Sequence, residues 1–233
     1  MSDTLEIERL SVRYDTDKGP LEALRAVTMN VPSGEIVGVV GESGCGKSTL
    51  ISALLQLLPE NGRVADGAIR LEGEDVVGAS PRRLRDLRGR DMSVVFQDPM
   101  TSLNPVLSIG RQMRDIQYRD TISRTKKDRR SAAMLGRVGL PDPEGKLFFY
   151  PHELSGGMRQ RVAIAMAAMM EPKLLIADEP TTALDATLEV QIIELLQELQ
   201  RELGCAILFI SHHLGVIAEL CERVVVMYAG ETV

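Results

Sequence analysis

Eight consecutive residues, Gly41-Glu42-Ser43-Gly44-Cys45-Gly46-Lys47-Ser48, restrict the fold more than any other stretch. They fit the pattern G-x-x-x-x-G-K-[ST], whose glycines let a backbone wrap phosphate oxygens with its N–H groups turned inward. Lys47 adds a cation, and Ser48 a hydroxyl able to ligate Mg²⁺. Such a loop works between a buried strand and a helix N-terminus, whose partial positive charge faces the phosphates. The surroundings meet that demand. Residues 36–40 are continuously apolar, as in a central strand covered on both faces. From Lys47 onward Leu50, Leu54, Leu57 and Leu58 recur at helical spacing as far as Pro59. The chain therefore reads as an α/β protein that binds a nucleotide.

Further strands are expected where Leu5, Ile7, Leu10, Val12 and Tyr14 alternate, and at residues 24–31, 68–71, 93–96, 174–177, 206–210 and 224–227. Between residues 97 and 172 the strand signal vanishes. Helical patterns at 123–138 and 157–170 point to a mainly helical segment inserted into a sheet-based core. A further amphipathic helix carries Leu188, Ile192, Leu195, Leu196 and Leu199.

In open α/β sheets the ligand lies beyond the carboxyl ends of the strands. After the strands at 93–96, 174–177 and 206–210 come Gln97, then Asp178-Glu179, then Ser211-His212. With the phosphate loop, four strand ends thus deliver an amide, two carboxylates and an imidazole to one rim. Asp178 suits a Mg²⁺ ion, and Glu179 suits a group that orients or deprotonates an attacking water. Ser155-Gly156-Gly157 precedes an Ala/Met-rich helix and offers a second anion site, although Ser155 equally suits the plain N-cap of that helix. Cys45 reads in two ways, as a thiol made reactive by the helix N-terminus or as a small residue filling the loop.

Composition excludes several classes. Among 233 residues, 27 Lys+Arg against 33 Asp+Glu give a net charge of −6, the wrong balance for a protein that coats nucleic acid. With no Trp, four Tyr and four Phe there is little surface for stacking single-stranded bases. Asp86 closes the basic run at 82–85 and Asp128 interrupts the one at 124–130, so these read as solvated helix faces. No apolar run approaches the ~18 residues of a spanning helix, and the first residues lack the basic and apolar parts of a secretory signal. Three scattered cysteines (Cys45, Cys205, Cys221) argue against a disulfide framework or a zinc site. A cytosolic chain is expected, one that a partner would hold at any membrane.

Together these motifs resemble the nucleotide-binding subunit of an ABC transporter. The phosphate loop resembles Walker A, Leu154-Ser155-Gly156-Gly157-Met158-Arg159-Gln160 the ABC signature, and residues 174–179 Walker B. Gln97 matches the Q-loop, Ala183-Leu184-Asp185 the D-loop and His212 the switch histidine. The runs at 96–105, 150–161, 177–185 and 214–218 resemble more narrowly the ATP-binding subunits of bacterial oligopeptide/dipeptide importers. The resemblance implies a P-loop NTPase fold with an antiparallel β subdomain, and a helical subdomain at about 98–171 set into a core of residues 1–97 and 172–233.

The same resemblance implies ATP and Mg²⁺ as cofactors. It places Tyr14 on the adenine, Gly41, Ser43, Gly44, Cys45, Gly46, Lys47, Ser48 and Thr49 around the nucleotide, and Ser48, Gln97 and Asp178 at the metal. Catalysis falls to Glu179, His212 and Gln97, while Ser155, Gly156, Gly157 and Asp185 reach the ATP held by a second subunit. The implied partners are that second ATP-binding subunit, transmembrane permease subunits and, indirectly, an extracytoplasmic solute-binding protein, with no nucleic acid. The implied location is the cytoplasmic face of the plasma membrane. His213 departs from the usual Asp of the family, one place beyond the catalytic position. Past Gly230-Glu231-Thr232-Val233 a further strand and a C-terminal extension are expected, so the chain reads as a shortened member. A soluble ABC ATPase of DNA repair or translation would carry a long coiled-coil insertion or a second cassette. A P-loop small-molecule kinase would leave 154–160 and His212 without work.

Overall fold

Period-two alternation of apolar residues builds two sheets in the computed structural model, which describes residues 3–182 and 184–233, the side chains of Met100 and Thr101 excepted. Strands β1 (Asp3–Thr16), β2 (Gly19–Pro32), β4 (Gly62–Leu71) and β5 (Glu74–Asp75) pair antiparallel in the order β2-β1-β4-β5. Strands β3 (Ile36–Gly41), β6 (Met92–Val95), β7 (Leu174–Asp178), β8 (Ala206–Ser211), β9 (Arg223–Tyr228) and β10 (Glu231–Thr232) form the second, ordered β10-β9-β3-β8-β7-β6. Strands β9, β3, β8, β7 and β6 run parallel, and β10 is an antiparallel edge. The apolar run at 36–40 is therefore central, as its unbroken hydrophobicity requires.

The two faces of the parallel sheet feed two cores. Val37, Val39, Leu174, Ile176, Leu208 and Ile210 pack with the antiparallel sheet and with α1 (Lys47–Leu54). The residues between them, Leu175, Ala177, Ile207 and Phe209, face the other side. There they meet the helices that fill the chain between β6 and β7. After α2 (Pro81–Leu87) these are α3 (Pro99–Ser102), α4 (Ile109–Ile116), α5 (Arg124–Arg137), α6 (Pro143–Lys146) and α7 (Gly156–Ala168). Met113, Leu135, Val138 and Val162 share one hydrophobic cluster with Leu175 and Phe209, so a segment inserted in sequence is not isolated in space. Helices α8 (Ala186–Leu203) and α9 (Leu214–Leu220) complete that layer.

Three departures from the expected pattern have local causes. The step from Ile7 to Leu10 breaks the alternation of β1 because the strand bulges: Arg9 and its neighbour strand's Ala26 both adopt φ 48°, and the register shifts between Ile7 and Leu10. One extra residue returns Leu10 to the buried face. Helix α1 stops at Leu54 rather than continuing through Leu57 and Leu58. Gln56 turns left-handed (φ 50°), and the Leu57 N–H donates back to the Ser52 carbonyl at 2.8 Å, a Schellman closure without the usual glycine. Strand β6 ends at Val95, which leaves Phe96 outside the ladder and exposed. The basic runs are held in ion pairs: Arg83 grips Glu74 through two nitrogens at 2.7 and 2.6 Å, and Arg130 lies 2.8 Å from Asp120.

Candidate active site

The carboxyl ends of β3, β6, β7 and β8 meet along one rim. Between β3 and α1 runs the loop 41–48. Gly46 caps α1 at φ 110°, a conformation cheap for glycine alone, and it places no side chain over the first N–H groups of the helix. Lys47 is buried, and its Nζ donates to the carbonyls of Gly41 at 2.7 Å and Glu42 at 2.9 Å, with Cys45 Sγ at 3.8 Å. The ammonium thus braces the loop from inside. A cleft of about 560 Å³ opens above it, lined by Ser43, Gly44, Gly46, Lys47, Ser48 and Thr49, by the strand-end residues Gln97, Asp178 and Glu179, and by Tyr14. That volume suits a ligand of nucleotide size.

Asp178 and Glu179 are neighbours in sequence and would point to opposite faces if the strand simply continued. Glu179 instead takes a left-handed turn (φ 46°), a strained conformation for a non-glycine residue, and both carboxylates line the one cleft. The Glu179 N–H still donates to the Ile210 carbonyl at 2.9 Å, which ties the turn to the end of β8. Three groups converge on Glu179 Oε2: Gln97 Nε2 at 3.2 Å, His212 Nδ1 at 3.1 Å and the Thr182 hydroxyl at 3.1 Å. Burial, and then the neighbouring Glu179 charge, push the Asp178 carboxyl up to about 6 against the pull of Lys47.

The structure brings most of the expected residues together. The Tyr14 hydroxyl lies 3.4 Å from Thr49 Oγ1, which ties β1 to the first turn of α1. His212 reaches the site through Glu179. Gly41 and Cys45 do not line the cleft. Gly41 serves it through the carbonyl that Lys47 holds, and Cys45, 5% exposed, packs into the core beside α1, which favours its filling role over its reactive one. Ser155, Gly156, Gly157 and Asp185 also lie outside this cleft. Within the chain Ser155 caps α7, accepting from Met158 N at 3.3 Å, and Asp185 caps α8, accepting from Leu188 N at 3.0 Å. Ala183 of the expected D-loop falls outside the described residues.

Other residues were not anticipated. Ala229 and Gly230 line the cleft just past β9, and the strand-end rule extended to that strand points to them. Leu21, Glu22 and Ala23 line it from β2, folded over the rim from the other sheet, and no local signal marks them. Nor does anything in the sequence mark Thr182.

The order of these elements recurs in known proteins. The family described as ABC transporter matches residues 24–182 of this chain. The chain belongs to that family. The oligopeptide transport ATP-binding protein OppD of Bacillus subtilis (strain 168) is 45% identical over 231 residues, which cover 98% of this ABC chain and 64% of OppD. The dipeptide transport ATP-binding protein DppD of Escherichia coli (strain K12) is 45% identical over 230 residues, 98% of this chain and 70% of DppD. The chain thus spans about two thirds of the length of these relatives. Among solved structures, a dimeric post-hydrolysis state of the ATP-binding cassette MJ0796 bound to ADP and Pi superposes with a TM-score of 0.85 at 28% identity, covering 98% of this chain and 96% of that one. The P-loop architecture expected from the resemblance is the one observed. No helix among the described residues is long and apolar enough to cross a membrane.

Proposed function

We propose that the chain is the ATP-hydrolysing subunit of a bacterial importer of oligopeptides, dipeptides or related solutes, acting as one half of a head-to-tail pair. One observation carries this reading: the chain has two anion-binding elements that do not meet. The loop 41–48 lines the cleft, whereas Ser155-Gly156-Gly157 lies outside it, at the start of α7. Both find work when the signature of one copy closes over the nucleotide held by the loop of another.

In that arrangement Tyr14 stacks on the base, while the loop N–H groups and Lys47 hold the phosphates. Ser48, Gln97 and Asp178 supply oxygen ligands of the hard type that Mg²⁺ takes. The raised carboxyl of Asp178 supports the assignment, since burial and an adjacent negative charge are the costs a divalent cation relieves. Among the described residues no three His, Cys, Asp or Glu gather into a metal cage, so Ser48, Gln97 and Asp178 are the residues that would hold Mg²⁺ here. When bound it neutralises phosphate charge.

Glu179 orients and deprotonates the attacking water, and Gln97, His212 and Thr182 fix the direction of its carboxylate. Thr182→Ala, which deletes one of the two hydrogen-bond donors to this carboxylate, is expected to slow steady-state ATP hydrolysis about five- to tenfold at unchanged KM. Thr182→Ser restores the rate, and an unaltered kcat in the alanine variant would remove Thr182 from this role.

The γ-phosphate is the differential contact: it bridges the loop of one copy and residues 155–157 of the other, so closure requires ATP and is lost on hydrolysis. Asp185 lies along the same interface. We assign the division at about 98–171 to a helical arm carrying the signature, with residues 1–97 and 172–233 as the nucleotide-holding core. An apolar groove of about 470 Å³, lined by Leu57, Phe96, Leu103, Ile116 and Met166, is the proposed seat of a permease subunit. Phe96 adjoins Gln97, so an occupant of the groove is coupled to the catalytic rim. The permease subunits hold the chain at the cytoplasmic face and alone meet the solute-binding protein. Ser155→Arg tests the shared site. The ATP-dependent dimer expected by size exclusion should disappear while the ATP affinity of the single chain is retained, and a dimer that persists would contradict the pairing. Co-purification with permease subunits that stimulate hydrolysis tests the transport role.

A further inference from the structure

Strands β1 and β4 pair with Tyr14 directly opposite Gly62. The ring lies against that glycine so closely that a Cβ at position 62 would stand 2.6 Å from Tyr14 Cε1 and 2.9 Å from Cδ1. The next neighbour, the Pro59 carbonyl, is at an ordinary 3.4 Å. Gly62 sits in a regular strand and does not have a positive φ, so its backbone conformation is open to any residue. The requirement for glycine comes from the tyrosine. Aromatic side chains packed over a cross-strand glycine are a recurrent device of β-sheets. Here the ring is also anchored at its far end, where its hydroxyl meets Thr49 Oγ1 on α1.

We infer that Gly62 is a positioning residue for the nucleobase, its missing side chain being the seat that keeps the Tyr14 ring in register with the phosphate loop. A methyl group at 62 displaces the ring from that seat and spoils the platform, leaving the loop 41–48 untouched. The inference rests on the reading of Tyr14 as the base platform. It makes one further claim: Gly62 acts through Tyr14, on the base and not on the phosphates.

The test is a double-mutant cycle read by equilibrium titration with ATP and, separately, with inorganic tripolyphosphate, which has no base. Gly62→Ala is expected to weaken ATP binding roughly tenfold, the scale of a lost base–aromatic stack, and to leave tripolyphosphate affinity unchanged. In the Tyr14→Ala background the same substitution is expected to change neither affinity, because nothing remains to displace. Wild-type ATP affinity in Gly62→Ala, equal weakening of both ligands, or a further loss in the Tyr14→Ala background would each overturn the inference. Should Gly62→Ala alone prove unstable, Tyr14→Ala removes the clash, and the double variant is expected to melt with Tyr14→Ala. A double variant destabilised as much as Gly62→Ala would place the role of the glycine in folding. Wild-type ATP affinity in Tyr14→Ala alone would instead overturn the base platform itself, and this inference with it.

Discussion

Glu179→Gln is expected to leave ATP bound and all but stop its hydrolysis. Three groups, Gln97 Nε2, His212 Nδ1 and the Thr182 hydroxyl, converge on a single oxygen of this side chain. The amide oxygen of glutamine can occupy the same position and accept from Gln97 Nε2 and the Thr182 hydroxyl, so the geometry of the rim survives. What disappears is the negative charge and the ability to take a proton from water. Losing a preorganised group of this kind costs about 3–4 kcal/mol or more at the transition state, a drop in kcat of ~10²–10³ or beyond. Binding moves the other way. The Glu179 charge is one of the causes raising the Asp178 carboxyl, so its removal lets Asp178 ionise more readily and hold a cation better. ATP affinity at least equal to wild type, with turnover reduced a hundredfold or more, is the expected pair of results. Turnover near wild type would exclude Glu179 as the base.

Lys47→Ala is expected to fail one step earlier, at binding. The ammonium carries two jobs. It donates to the Gly41 and Glu42 carbonyls and so braces the loop, and it is the one cation among the described residues that line the cleft. Alanine leaves those carbonyls without their charged donor in a nearly closed environment and removes the pull that opposes the rise of the Asp178 carboxyl. Charge-assisted hydrogen bonds are worth about 1.5–3 kcal/mol each, so ATP affinity should fall roughly 10- to 100-fold or more. Calorimetric titration measures it directly. Unchanged affinity would remove the loop 41–48 from the phosphates and with it the whole reading of the rim.

What was readable in advance follows the range of the interactions involved. The loop 41–48, the buried strand before it and the residues just past β6, β7 and β8 are properties of short stretches, and pattern reveals them. Ala229 and Gly230 obey the same rule at β9 and were open to the same reasoning. Other features depend on chain segments far apart. Leu21, Glu22 and Ala23 belong to the cleft because one sheet folds over the edge of another. The partnership of Tyr14 with Gly62 exists because two strands pair across 48 residues of chain. Thr182 reaches Glu179 because the backbone turns left-handed at a glutamate, where no sequence rule places such a turn. The end of α1 was hidden for a similar reason, since a left-handed Gln56 closes the helix where a glycine would have announced it.

Ser155 began with two competing readings, anion contact or helix cap, and the hydrogen bonding of a hydroxyl makes them compatible. Accepting the Met158 N–H consumes one lone pair of Oγ and leaves the hydroxyl hydrogen free to be given away. The side chain is held at a fixed angle by its own helix before any visitor arrives, so little rotamer freedom is left to lose when an oxyanion comes within reach. Asp185, fastened to its helix in the same manner, has no proton to offer and meets an arriving phosphate only as a like charge. In the proposed pair, two similarly built helix starts would meet one phosphate with opposite polarity, Ser155 as a donor and Asp185 as a like charge, so closure would depend on which of them stands nearer.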